Sequence, residues 1–304
     1  MIIDGVDIPD MRILEGSYAN IVNLPSLKSV PTVDWWEEDG IDVDLSDPKL
    51  NAREISINIG GFGLLHDVGA LIERINDGAY HVYRILGQEH RWRLVKCGKM
   101  EAQRFSYFAL TFSDDFPNPG MLPIPLIRGG HSYFGDLNGQ DLREYGITIL
   151  DGTLDRIKKL PDVKENLTVD NRTIDGVVYD GKVVKYKSKD IQLKCLMKTT
   201  TLRNFWGLRG DLLLTLSGKS ERSLYVNATE ETYPCYYKSC TTHEFATNCI
   251  GATDKGTVWW TFTLTLAVTR FRPVADEYLL AAEKGEWVVT EDNEYAIDLG
   301  EIKI

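Results

Sequence analysis

Residues 11–28 of this chain read MRILEGSYANIVNLPSLK, and residues 147–164 read ITILDGTLDRIKKLPDVK. Seven of these eighteen pairs are identical: Ile13/Ile149, Leu14/Leu150, Gly16/Gly152, Ile21/Ile157, Leu24/Leu160, Pro25/Pro161 and Lys28/Lys164. The offset of 136 runs on ungapped. It sets Thr32-Val33-Asp34 on Thr168-Val169-Asp170 and Asp39-Gly40 on Asp175-Gly176, and over residues 11–57 fifteen of forty-seven pairs are identical. A short lead-in recurs at a slightly different offset, Ile3-Asp4-Gly5-Val6-Asp7-Ile8 against Leu137-Asn138-Gly139-Gln140-Asp141-Leu142. Such a repeat reads as a tandem duplication, and a fold that suits one copy must suit the other.

Beyond residue 57 the copies agree in pattern rather than in letters. Residues 64–75 space Leu64, Leu65, Val68, Leu71, Ile72 and Ile75 as one face of a helix, and residues 201–213 fill the matching slot. Strands are expected at 79–85, 91–97 and 105–112 in the first copy and at 223–227, 233–239 and 258–268 in the second. In the last of these, Trp260, Phe262, Leu264 and Leu266 alternate with Thr261, Thr263 and Thr265, a period of two with one buried face. The expected class is mainly β (α+β): two tandem duplicated β-sandwich or tube-like domains of five to seven strands, each with one flanking α-helix. The first domain is placed at 1–126 and a Pro/Gly-rich linker at 127–136. The second domain is placed at 137–272. A C-terminal extension, 273–304, holds a helix at 275–283 and an extended end at 295–304.

Composition narrows the function. The 304 residues carry a net charge of −11, and residues 1–50 hold three Lys/Arg against eleven Asp/Glu. Phosphate binding relies on Lys and Arg, so an acidic chain is ill suited to gripping nucleic acid. It could still line a passage through which nucleic acid slides. No apolar run reaches the roughly 18 residues of a membrane span, and residues 1–7 lack the basic and apolar regions of a signal peptide. The five cysteines are odd in number and four follow residue 190, which fits a reducing compartment better than a disulfide framework.

Four features invite a chemical reading. The run Gly60-Gly61-Phe62-Gly63 between an expected strand and an expected helix has the layout of a phosphate-binding turn. His66 stands where the third glycine belongs, however, and the second copy has Lys194 to Thr199 in the equivalent place, so a flexible turn is the favoured reading. Cys235, Cys240, His243 and Cys249 offer zinc-type ligands within fifteen residues. Their C-x4-C-x2-H-x5-C spacing departs from the usual C-x2-C knuckle, and buried free thiols with a loop histidine are preferred. The acids Glu37, Glu38, Asp39, Asp42, Asp44 and Asp47 lack the spacing of a calcium loop and read as the solvated face of a strand. The histidines, His66, His81, His90, His131 and His243, pair with no serine or cysteine in a nucleophile motif. The chain is read as non-enzymatic, with no cofactor and no resident metal.

A tandem pair of small β domains, with Gly5-Val6-Asp7-Ile8 opening the chain, Trp35-Trp36-Glu37-Glu38-Asp39-Gly40 at a turn and a closing strand over Trp260–Leu266, resembles the tube-like domains of phage tails. The parallels are the distal tail proteins of long-tailed phages and the duplicated hubs of contractile-tail baseplates. A distal tail protein follows its tube domain with a lectin-like domain, whereas this chain has a second copy of the first. The resemblance implies a virion protein, assembled in the host cytoplasm, that forms a trimeric or hexameric ring with itself. It also implies contacts with tail-tube and tail-tip proteins, no contact with membrane, and DNA that passes without specific binding. Two other readings stand beside it. One is a repeating tail-tube subunit. The other is a surface carbohydrate-binding module, suggested by fourteen tyrosines and seven tryptophans; Trp206, Trp259 and Trp260, within apolar runs, read as core instead.

Overall fold

Among the described residues, each half of the chain holds nine strands. A computed structural model describes residues 2–7, 11–14, 16–61, 71–102, 106–117, 134–165, 168–179 and 184–271. The first half contains β1 (Ile2–Ile3), β2 (Val6–Asp7), β3 (Met11–Ile13), β4 (Thr32–Val33), β5 (Asp42–Val43), β6 (Arg53–Gly61), β7 (His81–Ile85), β8 (Gln88–Ala102) and β9 (Ser106–Asp114). The second contains β10 (Gly135–Leu137), β11 (Gln140–Asp141), β12 (Ile147–Ile149), β13 (Thr168–Asp170), β14 (Val177–Tyr179), β15 (Lys189–Thr199), β16 (Arg222–Val226), β17 (Glu231–Thr247) and β18 (Val258–Val268). Seven strands of each half make an antiparallel sheet, in the orders β2-β1-β7-β8-β9-β6-β3 and β11-β10-β16-β17-β18-β15-β12. Raising each number in the first order by nine gives the second. The remaining pairs, β4 with β5 and β13 with β14, form small hairpins. The fold is mainly β.

The likeness extends to single bonds. Each sheet starts with a two-residue turn, Asp4-Gly5 and Asn138-Gly139, whose residues all have positive φ, as a type I′ hairpin requires. A six-residue helix follows each third strand: α1 (Ser17–Val22) and α2 (Thr153–Lys158). The hydroxyls of Ser17 and Thr153, at the first turn, accept the backbone N–H groups of Asn58 and Lys194 and pin each helix to its sheet. At the other end, Arg53 donates to the carbonyls of Ile21 and Asn23, and Lys189 donates to those of Ile157 and Lys159. Such short helices are not self-supporting. Cations at the C-terminal carbonyls stabilise them by satisfying orphan acceptors and opposing the negative end of the dipole.

The core follows the alternation. In β18 the side chains of Val258, Trp260, Phe262, Leu264 and Leu266 are buried, and in β15 those of Ile191, Leu193, Cys195 and Met197. The longest helix, α3 (Leu202–Leu216), is capped by Thr201, whose side chain accepts the N–H of Asn204. It lays Phe205, Leu208 and Leu212 on that surface, with Phe205 edge-on to Trp260 at 5.7 Å.

Several expectations are corrected. Among the described residues each half has a short helix besides the expected one, and the second half also has a 3-10 helix at Leu142–Tyr145. In the first half residues 71–75 are helical, and the remainder of the expected 64–75 helix, with His66, lies outside the described residues. Gly60 and Gly61 are part of β6, paired with Arg12 and Met11, rather than a turn. β10 begins at Gly135, inside the stretch expected as linker. The strand expected at 233–239 runs from Glu231 to Thr247. Trp206 and Trp260 are buried, but Trp259 points outward beneath the Lys198 ammonium. The other linker residues to 133, His131 and the C-terminal extension lie outside the described residues.

The first sheet carries one titrating contact. His81 Nδ1 lies 2.7 Å from Asp4 Oδ2, and Nε2 lies 3.0 Å from Asp77 Oδ1. Burial disfavours the charged ring, but the two carboxylate hydrogen bonds outweigh it and hold the pKa above the ordinary histidine value. A raised folded-state pKa gives stability that is fully present below the unfolded value of about 6.5 and is lost as pH rises through the folded value. Thermal melting should therefore separate wild type from His81→Asn at pH 6, and the gap should narrow as pH rises to 8.5. A gap that widens with pH would contradict the ion pairs.

Candidate functional site

Among the described residues, the densest set of polar contacts lies where the two halves meet. Helix α1 packs on β6 of its own sheet and also on β17 of the other. Residues just after it reach further across: the Leu27 N–H donates to the Lys238 carbonyl, Tyr237 Oη donates to the Pro25 carbonyl, and Thr242 donates through both N and Oγ1 to Asn23 Oδ1. Two guanidiniums converge on the helix end. Arg209 of α3 donates to the carbonyls of Val22 and Asn23, both at 2.6 Å, while Arg53 reaches Asn23 at 2.6 Å and is paired with Asp114. Burial, with Arg53 nearby, pulls the Arg209 pKa down to about 9, which leaves it charged at neutral pH. Burial and the same two guanidiniums push the neighbouring His90 down to about 3, so its ring is neutral against Trp92 and Trp206.

The β4–β5 hairpin makes a second contact. Lys164, 6% exposed, donates its three ammonium protons to Asp34 and to the carbonyls of Trp35 and Gly40. The Tyr186 N–H donates to Asp39, the Gly40 N–H to the Tyr186 carbonyl, and the Ile41 N–H to the Thr269 carbonyl. Asp42 pairs with Arg270 at 2.8 Å. Gly40 is required twice over. Its φ is +77°, and a Cβ there would stand 1.7 Å from the Thr269 carbonyl oxygen. A shallow cleft beside the hairpin is lined by Glu38, Asp39, Lys185 and Arg270.

The residues singled out from sequence fall differently. Cys235 and Cys240 are buried in β17, His243 is exposed on the same strand with Nε2 2.8 Å from Thr263 Oγ1, and Cys249 is half-buried in the following loop. An extended strand rises about 3.3 Å per residue, which draws the four apart. Among the described residues no group of three or more His, Cys, Asp or Glu side chains is placed to hold a metal. The acidic run is not a uniform solvated face: Asp39 and Asp42 join the two halves, Asp44 accepts the Ser46 N–H, and Asp47 pairs with Lys49. Arg209, Arg53, Asn23 and Lys164 were not flagged by sequence. Only Lys164 had a visible signal, its identity with Lys28.

No family model matches the chain, and no curated protein matches it. Three chains of known structure do. The chain is distantly similar to a phage hub protein. The SPP1 Dit (gp 19.1) protein, described as a paradigm of the hub adsorption apparatus in phages infecting Gram-positive bacteria, is 9% identical over 88% of this chain and 97% of its own, with a TM-score of 0.25. At that TM-score the likeness carries no argument.

Removing Arg209 leaves the Val22 carbonyl without its donor and the Asn23 carbonyl with Arg53 alone, at about 1–3 kcal/mol for an unsatisfied buried group. Arg209→Met should lower unfolding stability by roughly 1–3 kcal/mol, read as a lower urea midpoint at unchanged m-value. A loss below about 0.5 kcal/mol, the size of an ordinary surface change, would mean that α1 is held by other contacts.

Proposed function

We propose that the chain arose by tandem duplication and serves as a structural component of a phage tail tip or baseplate. In this reading it forms a ring around the DNA channel and connects the tail tube to tip proteins. The observation that carries the proposal is the way the halves meet. Two sheets of the same strand order contact each other through unlike surfaces, the helix and hairpin of one on the strand and loops of the other. Head-to-tail contact between like units is how closed rings are built. The sequence resemblance to tail-tube-like domains supplies the setting. The short edge strands β2, β3, β11 and β12 suit a unit that avoids uncontrolled edge pairing. The role assigned is architectural, with no catalytic step.

A net charge of −11 supports a wall that lets DNA pass. Duplex DNA titrated against the labelled protein at physiological salt should bind more weakly than the roughly 10⁻⁴–10⁻⁶ M of ordinary non-specific binders. Micromolar binding that weakens steeply with salt would sink the passive-channel role.

Gold-labelled antibody against the chain should decorate the tail tip of the particle that carries it. Label along the whole tube would assign it instead as a repeating tube subunit. Particles without label would overturn the reading.

A further inference from the structure

The contact between the halves uses one face from each, and the repeat means that each half also carries the face it does not use. In the first half the unused seat is Lys28, Leu50 and Phe116, which occupy the positions of Lys164, Tyr186 and Arg270 in the register of the two sheets. Lys28 is exposed and Phe116 is 76% exposed. In the second half the unused hairpin is β13–β14, and every residue from 168 to 179 is exposed, Ile174, Val177, Val178 and Tyr179 among them.

The residues that make the existing contact are the ones the repeat keeps. Lys164 grips Asp34 and Gly40, and Asp39 receives the Tyr186 N–H. Their counterparts Lys28, Asp170, Gly176 and Asp175 are identical in type. Gly176 holds φ +83°, close to the +77° of Gly40, yet among the described residues nothing lies within 4 Å of where its Cβ would be. It has the docked conformation and no seat. Where identity is lost, the exchange is complementary: the positions of the Asp42–Arg270 ion pair are taken by Val178 on the free hairpin and Phe116 on the free seat, both apolar.

The helix face repeats the pattern. Leu24 is 2% exposed against β17, but its counterpart Leu160 is 57% exposed, and Leu27 at 8% becomes Val163 at 45%. The β17 strip that covers Leu24 includes Cys240, which receives the Leu24 N–H. On β8 the same register positions are Val95 and Cys97, both exposed, after a bulge at the same place.

The geometry points to a second copy of this chain as the occupant of both faces. The β13–β14 hairpin and α2 face of one copy dock on the Lys28 seat and β8 strip of the next, repeating the internal contact between chains. The inference rests on the ring reading for closure of the assembly, while the contact itself is argued from the internal joint.

The test is a crosslink. Leu160→Cys places a thiol opposite Cys97 of a neighbouring copy, as Leu24 stands to Cys240 within the chain. Mild oxidation of the full chain should give covalent multiples of 34.4 kDa that vanish in a Cys97→Ser background. In the uncrosslinked protein, Lys28→Glu and Asp170→Lys should each raise the dissociation midpoint at least tenfold, and the two together in one chain should restore it. These positions are exposed in a single copy, so circular dichroism and melting should match wild type. A single-chain mass at about 100 µM, well above the micromolar range in which specific assemblies persist, with no crosslink, overturns the proposal. So does an oligomer that ignores both charge reversals, although the tail assignment would then survive through another surface. Failure of tip labelling with an intact crosslink would overturn the tail assignment alone.

Discussion

Two guanidiniums closing on the carbonyl end of one six-residue helix hold the molecule together. Arg53 comes from the helix's own sheet and Arg209 from the other, and both reach the Asn23 carbonyl. Neither sheet is hydrogen-bonded to the other through its strands, so α1, the residues after it and the Trp206 indole N–H on the Leu86 carbonyl provide the connection. Charge-assisted donors to carbonyls are stronger than neutral ones, and here they are shielded from water. Around them the apolar contacts of Leu24 and Leu27 are excluded from solvent, each such burial being worth about 1.5–3 kcal/mol when complete.

The second helix shows what the first would be without its partner. Among the described residues Lys189 alone serves the α2 end, lying over the Phe271 ring at 3.7 Å, and burial pulls its pKa down to about 8. Fold and placement are equal in the two helices. Their surroundings are not: one is enclosed between two sheets, and the other rests on β15 with its far face in solvent. An identical scaffold therefore gives two electrostatic environments within one chain.

Much of the architecture was legible because the repeat survives in letters. The alternation in residues 258–268 located β18, and the apolar pattern over residues 201–213 located α3. The short helices were not legible. SYANIV and TLDRIK span too few residues to show a helical period, and each follows a glycine with no side-chain cap. Their existence depends on Ser17, Thr153 and the distant cations. The strand length was hidden for a related reason: Cys235 and Cys240 were read as buried thiols, but His243, expected in a loop, lies on the same seventeen-residue strand. The joint was hidden in plain view. Lys28, Asp34, Asp39 and Gly40 matched their copies and were read as signs of common ancestry, whereas one member of each pair, Lys164, Asp34, Asp39 and Gly40, makes the joint.

The placement of Arg209 sets an order on how the chain is finished. The ribosome releases residues 17–22 early, but the guanidinium that completes their carbonyl end is 187 residues downstream of Val22. Until that segment emerges, Arg53 alone serves the carbonyl end of the helix, while Ser17 and Asn20 pin its first turn to the first sheet. Contacts of such long sequence separation form slowly, since chain closure must be achieved before they are rewarded. The helix made first is thus among the last elements to settle, and the second half of the chain acts as the template on which the first is completed.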